Sequence, residues 1–264
     1  MSSENNNNNN NNTNNENNDK INFIKNTIKK LTSENNLLND VVEIKSANIN
    51  LNTEKFNDYP LLNKKEMLLR AYYKDCVGDA FTGDIKNYKG TFEEILKLDN
   101  LPILVATLNV LMKYLGLINK TEHCIDKEPE ICAKDFAEYL KNEFEKDNIT
   151  NINNIKIGII GYQPAIISEM VKTFGGNNVL VSDLNYDNIG RIKYGATIYH
   201  GDMNEYIIKN SNIILCTGST LANNTIWNIL DLTKKYNKRI IFYGTTIAGV
   251  AELLNLERFC SCGK

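Results

Sequence analysis

Two short segments of the chain carry the side chains best suited to metal chemistry. His123 and Cys124 are adjacent, Cys132 follows eight residues later, and Cys260 and Cys262 stand near the C-terminus. Thiolates and imidazole are the donors that soft and borderline metal ions prefer. The spacing is not the repeated Cys-x-x-Cys of a zinc ribbon, so the segments must meet in the fold to share a site. The predicted metal ligands are His123, Cys124, Cys132 and Cys260.

Cys132 lies in the first turn of a predicted helix that begins near Pro129. The helix dipole there lowers the pKa of a thiol and favours the thiolate. The donor set fits zinc, iron or nickel, and affinity order alone does not choose among them. Further donor candidates are Asp126 and Cys262. Two other interpretations stay open: Cys124 or Cys132 is a nucleophile with His123 as its base, or the cysteines are small core residues.

Hydroxyl-bearing turns follow two predicted strands in the second half of the chain. Residues 217–220 come after a strand at 213–216, and residues 244–246 come after one at 239–243. Amides and hydroxyls at the starts of helices favour an anion such as phosphate or carboxylate. Threonine and serine also cap helices without any ligand. The predicted ligand-binding residues are Tyr162, Gln163, Asp183, Thr217, Ser219, Thr220, Asn223, Thr245 and Thr246.

The first predicted strand of this half is followed by an incomplete dinucleotide motif. Gly158 and Gly161 match its start, and Asp183 stands where a ribose-binding acid is expected. The third glycine is missing, and Pro164 removes an amide that a pyrophosphate would use. An enzyme that holds a nucleotide-like cofactor, with Asp183 on a ribose hydroxyl, therefore remains an alternative to metal binding.

The elements that must position these residues alternate as strands and helices. Strands are predicted at residues 155–160, 179–183, 196–199, 213–216 and 239–243, each followed by a helix or turn. This order predicts an α/β fold with a Rossmann-like, doubly wound parallel sheet over residues 151–264. Such sheets bind ligands at the carboxyl ends of their strands. A smaller α+β domain is predicted over residues 19–150, and the asparagine-rich residues 1–18 are predicted to be disordered.

Composition excludes some partners. The chain has 30 basic and 32 acidic residues and a formal charge of −2, which argues against a general nucleic-acid surface. The apolar run 101–117 is interrupted by Asn109 and Lys113 and is short for a membrane span, so we expect a buried helix. Six cysteines without a secretory context favour a reducing, cytoplasmic location. A homodimer fits a domain of this kind.

Several short segments of the sequence together match the pattern of a known family. It resembles the family of "putative heavy-metal chelation" proteins from Tyr72 to the C-terminus. The matching phrases are residues 122–124, 128–133, 159–164, 182–185, 217–225, 243–249 and 258–260. The chain departs from the family pattern at Ser219, where threonine is expected, and at Asn224, where glycine is expected.

The resemblance implies a two-part architecture and a ligand between the parts. An N-terminal part similar to the enolase N-terminal fold precedes a Rossmann-like domain, and the family name implies metal chelation. The resemblance implies no particular reaction, and we assign none. A third alternative is a non-catalytic interaction protein whose cysteines only stabilise the fold.

Overall fold

The computed structural model describes residues 5–52, 55–83, 86–147 and 154–264. The N-terminal unit comprises α1 (Asn5–Glu34), β1 (Val41–Ala47), β2 (Met67–Tyr73), β3 (Cys76–Thr82), β4 (Tyr88–Thr91), α2 (Phe92–Ile95), α3 (Leu101–Tyr114) and α4 (Glu128–Lys146). The C-terminal unit comprises β5 (Ile157–Ile160), α5 (Pro164–Phe174), β6 (Val179–Asp183), β7 (Ile192–Lys193), β8 (Ala196–His200), α6 (Asn204–Asn210), β9 (Ile213–Thr217), α7 (Ser219–Ala222), α8 (Ile226–Lys235), β10 (Arg239–Tyr243), α9 (Ala248–Leu253) and β11 (Arg258–Phe259).

The C-terminal unit contains the predicted sheet. Its strand order is β11-β10-β9-β5-β6-β8-β7, and every neighbouring pair except β7 and β8 is parallel. The chain leaves β5 toward β6 on one side and returns to β9 on the other, so the switch point lies between β5 and β9. The five strands predicted from the sequence are β5, β6, β8, β9 and β10 of this sheet. The α/β, Rossmann-like prediction is confirmed.

The N-terminal unit is built on a smaller antiparallel sheet of order β3-β2-β1-β4. Strand β2 was not predicted, because its sequence Met67–Tyr73 does not alternate between apolar and polar residues. The strand is also buried unevenly. Arg70 is largely buried because it forms an ion pair with Asp79. The prediction of an α+β part before the Rossmann-like domain therefore agrees with the elements observed.

Helix α3 packs on the antiparallel sheet and also contacts α7 and α9 of the C-terminal unit. Its residues from Ile103 to Met112 are all buried, and the apolar ones belong to one core with residues of both units, which explains the apolar sequence. Gly78 of β3 permits this packing, because a Cβ there would lie 2.3 Å from the backbone nitrogen of Val110. A helix that is apolar on all sides is a buried helix. The described residues contain no helix long and apolar enough to cross a membrane.

Local signals fixed several helix ends. Thr91 and Glu94 form a capping box at the start of α2. Helix α3 ends before Gly116, which has a φ of +69°, and Pro129 occupies the first turn of α4. Each end satisfies backbone groups that would otherwise lack partners.

Two predictions fall partly or wholly on residues that the structure does not describe. Residues 1–4 of the predicted disordered tail lie outside the described residues. From Asn5 onward the backbone is helical, as the first part of α1, where the sequence predicts disorder as far as residue 18. The predicted domain boundary between residues 150 and 151 also lies outside the described residues.

Candidate functional site

A cavity of about 200 Å³ lies where the carboxyl ends of β5, β6, β9 and β10 face the N-terminal unit. Every predicted ligand-binding and metal-binding residue except Thr246 lines it. Those lining residues are His123, Cys124, Cys132, Cys260, Tyr162, Gln163, Asp183, Thr217, Ser219, Thr220, Asn223 and Thr245. The fold thus brings together segments that are distant in sequence.

One side of the cavity, which we call the sulfur wall, consists of His123, Cys124, Cys132 and Cys260. The neighbouring Cys124 thiol is the largest cause that lowers the pKa of Cys132, and Ser261 and Cys262 of the C-terminal segment lower it further. The same pairing, with burial, raises the pKa of Cys124. Cys132 is therefore the more acidic thiol of the two.

His123 stands beside this pair as a neutral imidazole. Burial is the main cause that lowers its pKa. Its Nδ1 lies 2.6 Å from the carbonyl oxygen of Cys124, so Nδ1 carries the proton and donates it. Its ring meets Phe81 edge to face, with the ring centres 5.2 Å apart. Nε2 is consequently the nitrogen with the free lone pair.

A buried ion pair holds the His123–Cys124 segment in place. Asp79 is fully buried and accepts hydrogen bonds from Arg70 Nε at 2.7 Å and Nη2 at 2.8 Å. The same carboxylate accepts the backbone N–H of His123 at 2.7 Å. Arg70 also donates from Nη1 to Glu122 at 2.6 Å. Strands β2 and β3 therefore fix the loop that carries the imidazole and the first thiol.

The C-terminal segment is tied to the same loop. Lys120 Nζ donates to the carbonyl oxygen of Cys260 at 2.6 Å, and Glu122 and Lys264 exchange two backbone hydrogen bonds. Cys262 does not line the cavity, although its segment donates to Cys132. Asp126 is exposed and also lies outside the cavity. The two further donor candidates therefore do not join the sulfur wall.

The donor chemistry of the sulfur wall suits a soft metal, but the geometry offers a pair rather than a closed cage. In the part of the chain that the structure describes, no group of three or more His, Cys, Asp or Glu side chains is arranged to hold a metal ion. Cys124 and Cys132 are the pair of thiols whose pKa values influence each other most.

A second group of lining residues, which we call the hydroxyl wall, consists of Thr217, Ser219, Thr220, Asn223 and Thr245. Most of these side chains already bond within their own turn. The Thr217 hydroxyl donates to that of Ser219 and accepts the Ser219 amide, each at 3.3 Å. Thr220 donates to the Thr217 carbonyl oxygen at 2.7 Å, and Asn223 Oδ1 accepts from Thr225. These groups are used largely as turn and helix-end hydrogen bonds.

Thr246 is the predicted ligand-binding residue that the structure places elsewhere. Its Oγ1 accepts the backbone N–H of Phe81 at 3.1 Å, so it joins the C-terminal unit to β3 instead of facing the cavity. Its neighbour Thr245 is only 1% exposed, lines the cavity, and its hydroxyl has no hydrogen-bond partner among the described residues.

Asn109 of α3 is a positioning residue that the sequence signalled only as a polar interruption. Its Nδ2 lies within 3.3 Å of the carbonyl oxygens of Asp79, Thr245 and Thr246. Its Oδ1 accepts the Gly249 amide at 2.8 Å. One buried amide therefore joins the loop after β10 to the N-terminal unit. An asparagine inside an otherwise apolar helix is the signal that points to such a role.

The loops after β5 and β6 supply the remaining predicted residues, with their polar atoms partly used. Tyr162 donates its hydroxyl to Asp58 at 2.7 Å, which leaves its ring facing the cavity. Gln163 caps α5 by accepting the Ile166 amide at 2.6 Å. Asp183 accepts from Asn188 at 2.7 Å and from the Leu184 amide at 2.8 Å. Burial nevertheless raises the pKa of Asp183.

The cavity residues that sequence reasoning missed include Tyr59 and Glu66. Tyr59 is 5% exposed and its hydroxyl has no partner among the residues described. Burial, with the nearby charge of Asp183, raises the pKa of Glu66 to about 7. Both residues belong to the segment before β2, which carries no motif, so no signal in the sequence pointed to them.

Comparisons with known proteins agree with the resemblance. Residues 147–256 match the family model DUF364, described as "Putative heavy-metal chelation". The chain is similar to a DUF364 protein of unknown function from Pyrococcus horikoshii, with 19% identity, 86% of this chain and 79% of that chain covered, and a TM-score of 0.49. It is also similar to one from Desulfitobacterium hafniense DCB-2, with 12% identity, 72% and 73% covered, and a TM-score of 0.40.

No curated protein matches the chain. The matched residues include β5 to α9, and with them the hydroxyl wall and the loops after β5 and β6. The family resemblance stated from the sequence is confirmed as a match of residues 147–256, or 110 of the 264 residues, to that family model.

Proposed function

We propose that this protein binds a soft metal ion in the cavity between its two units, with Cys124 and Cys132 as the primary ligands. The observation that carries the proposal is that His123, Cys124, Cys132 and Cys260 line one cavity. Cys124 and Cys132 come from different elements, a loop and the first turn of α4, and the opposite shifts of their pKa values mark them as neighbours.

The surroundings of Cys132 favour its role as the first ligand. A thiolate, not a thiol, binds a metal. The neighbouring Cys124, Ser261 and Cys262 lower the pKa of Cys132 and so favour its thiolate. Cys124, whose pKa is raised, must lose its proton when it binds the metal.

Two sulfur donors favour metals that accept few ligands and prefer sulfur. Cys260 and the free Nε2 of His123 line the same cavity and supply further donors if the ion takes more than two. The bound metal would contribute Lewis acidity or simple sequestration, and the residues of the chain would hold it and exclude water. Zinc, iron and nickel remain the predicted candidates, and copper(I) joins them because of the sulfur pair.

A dinucleotide cofactor is less well supported than a metal. The cavity volume of about 200 Å³ is below the roughly 300–1,000 Å³ of pockets that hold drug-sized ligands. The Gln163 side chain also occupies an amide at the start of α5 that a pyrophosphate would use. No observation at the loop after β5 favours a nucleotide over a smaller ligand.

The test is elemental analysis of protein purified without oxygen and without a metal-binding tag. The double variant Cys124→Ser/Cys132→Ser is measured beside the wild type, with Cys76→Ser as the matched control. Cys76 begins β3 and does not line the cavity. We expect one metal ion per chain in the wild type and in Cys76→Ser, and a loss of metal in the double variant.

The same samples are reloaded with copper(I), zinc, iron(II) and nickel, and the stoichiometry is measured again. Metal that stays bound in the double variant, or no metal in any loaded sample, would overturn the proposal. In the latter case the cysteines would be structural, and their replacement would change stability without changing any ligand binding.

A further inference from the structure

We propose that residues 55–66, which we call the strap, open and close over the cavity, and that the carboxylate of Asp58 is the latch that holds the strap closed. The inference rests on the proposed function in one respect, since the strap would control the entry of a metal ion to Cys124 and Cys132. It can be tested on metal-free protein, so the two proposals can fail separately.

The strap belongs to the N-terminal unit in sequence but packs on the C-terminal unit. It is part of the connection between β1 and β2. Phe56 and Tyr59 are buried in the core that contains the strands of the parallel sheet. Tyr59, Pro60, Leu61 and Glu66 line the cavity. One part of the cavity wall is therefore a segment that joins two strands of the other unit.

Three donors from the C-terminal unit converge on the latch. The Tyr194 hydroxyl donates to Oδ1 of Asp58 at 2.5 Å, and the Tyr162 hydroxyl donates to Oδ2 at 2.7 Å. Lys193 Nζ donates to Oδ2 at 3.1 Å. Hydrogen bonds to an ionised acceptor are stronger than those between neutral groups. The latch thus ties the strap both to the loop after β5 and to the turn between β7 and β8.

The turn between β7 and β8 has an unfavourable residue that serves the latch. Tyr194 and Gly195 are the two loop residues of this hairpin, and their φ angles are +53° and +93°. Such turns favour asparagine, aspartate or glycine, because a positive φ is costly for a bulky side chain. The compensating contacts of Tyr194 are with the strap: its hydroxyl bonds to Asp58, and its ring centre lies 5.3 Å from that of Phe56. A residue that breaks a local rule and bonds to a distant segment indicates a specific role there.

The second half of the strap is built to move as a unit. The amides of residues 62–66 all donate to carbonyl oxygens of residues 59–61, so this half is a compact turn held by its own backbone. Side chains join the strap to the C-terminal unit, through the latch and through an ion pair of Lys65 with Asp187. A segment held by side-chain contacts opens more easily than a hydrogen-bonded sheet, and the lids of binding sites are drawn from such segments.

The closed cavity leaves its thiols poorly accessible. Cys124 and Cys260 line the cavity but are only 9% and 8% exposed. A metal carrier or a chemical reagent therefore has little room to reach either sulfur atom while the strap is closed. Opening of the strap would expose both.

The experiment is alkylation of metal-free protein by iodoacetamide, with each cysteine followed by mass spectrometry of its peptides. Tyr194→Phe removes one donor to the latch without changing any charge. We expect this variant to raise the alkylation rates of Cys124 and Cys260 by about threefold to tenfold, the factor that corresponds to the loss of one hydrogen bond. Asp58→Asn should raise them further, because all three donors lose their charged acceptor.

Tyr139→Phe is the matched control. It removes a hydroxyl that bonds to the carboxylates of Glu143 and Glu257, each at 3.1 Å, and Tyr139 does not line the cavity. The control should leave the alkylation rates of the cavity thiols unchanged. Cys216 of β9 is fully buried outside the cavity lining, so its alkylation rate reports opening of the whole fold.

Equal alkylation rates of the cavity thiols in Tyr194→Phe and the wild type would overturn the strap. A rise that Cys216 matches in proportion would do the same, because the variant would then loosen the whole fold. Neither result depends on a metal. Loss of the proposed metal site, as measured by elemental analysis, would leave the alkylation result standing, and failure of the strap would leave the metal stoichiometry standing.

Discussion

The sulfur wall and the hydroxyl wall line one cavity but differ in how their polar atoms are used. On the hydroxyl wall, Thr217, Ser219 and Thr220 bond to one another or to their own turn. On the sulfur wall, the neighbouring Cys124 thiol lowers the pKa of Cys132, which favours its thiolate. A motif therefore identifies where polar residues lie, whereas the hydrogen bonds decide which of them can bind a ligand.

The walls also differ in what supports them. The sulfur wall depends on a buried ion pair between Arg70 and Asp79, and the loop after β10 depends on the neutral side chain of Asn109. Removing one partner of a buried ion pair lowers stability strongly, because the other partner remains charged where water solvates it poorly. The difference predicts unequal effects of mutation on the two sides.

The largest expected effect is at Asp79. Asp79→Ala removes the buried partner of Arg70 and the acceptor of the His123 amide. We expect the free energy of unfolding to fall by about 3–5 kcal/mol, the usual cost of breaking a buried pair. Urea unfolding followed by circular dichroism measures the change.

Glu205→Ala is the control for this prediction, because it removes an exposed ion pair with Lys235. The control should change the free energy of unfolding by less than about 1 kcal/mol. Equal effects of the two substitutions would show that the ion pair does not support the sulfur wall more than a surface pair would.

The second prediction concerns Glu66 and pH. Burial raises the pKa of Glu66 in the folded protein to about 7, above its ordinary value of 4.5. The folded state therefore holds a proton that the unfolded state has lost between pH 4.5 and pH 7, and stability falls as pH rises through this window. The loss is about 1.4 kcal/mol per pH unit at most, and it levels off above pH 7.

Glu66→Gln cannot titrate and should lack this fall. Relative to the wild type, its melting temperature should be similar near pH 4 and higher at pH 8. Thermal unfolding from pH 4 to pH 8 measures both proteins. A wild type and variant with parallel pH profiles would mean that Glu66 is not desolvated in the cavity.

The smallest expected effects come from two neighbouring threonines. Thr246→Val removes the acceptor of the buried Phe81 amide and should cost about 1–3 kcal/mol of stability. Thr245→Val removes a hydroxyl that has no partner among the described residues and should cost less than about 0.5 kcal/mol.

Chemical unfolding of the two valine variants gives the comparison directly, since the substitution and its position in the chain are almost the same. A larger loss for Thr245→Val than for Thr246→Val would reverse the assignment of which threonine faces the cavity. It would then restore Thr246 as the ligand-binding residue of this turn.

The regular part of the fold was predictable from local patterns. The strands of the parallel sheet are short apolar runs that alternate with helices, and the apolar residues of α3 indicate a buried helix. The capping box at Thr91 is a pattern within four residues. Strand β2 was missed because its ion-paired Arg70 and its buried residues do not alternate.

The site was predictable in part. The side chains of His123, Cys124 and Cys132 are of types that bind metal ions. This property follows from residue type and can be read without knowledge of the fold. The distinction between Thr245 and Thr246 was not predictable, since both follow the same strand and differ only in which neighbour each hydroxyl meets. Glu66 and Tyr59 belong to no motif.

The sequence by itself determined the order of elements, the α/β class and the set of side chains that could bind a soft metal, because these follow from residue type and short-range periodicity. Only the tertiary structure decided that Cys124 and the C-terminal segment lie beside Cys132 and lower its pKa, and that Glu66 and Asp183 line the same cavity. Those properties arise from contacts between residues far apart in the chain. Burial strengthens them, because hydrogen bonds and charges interact more strongly where the dielectric constant is low.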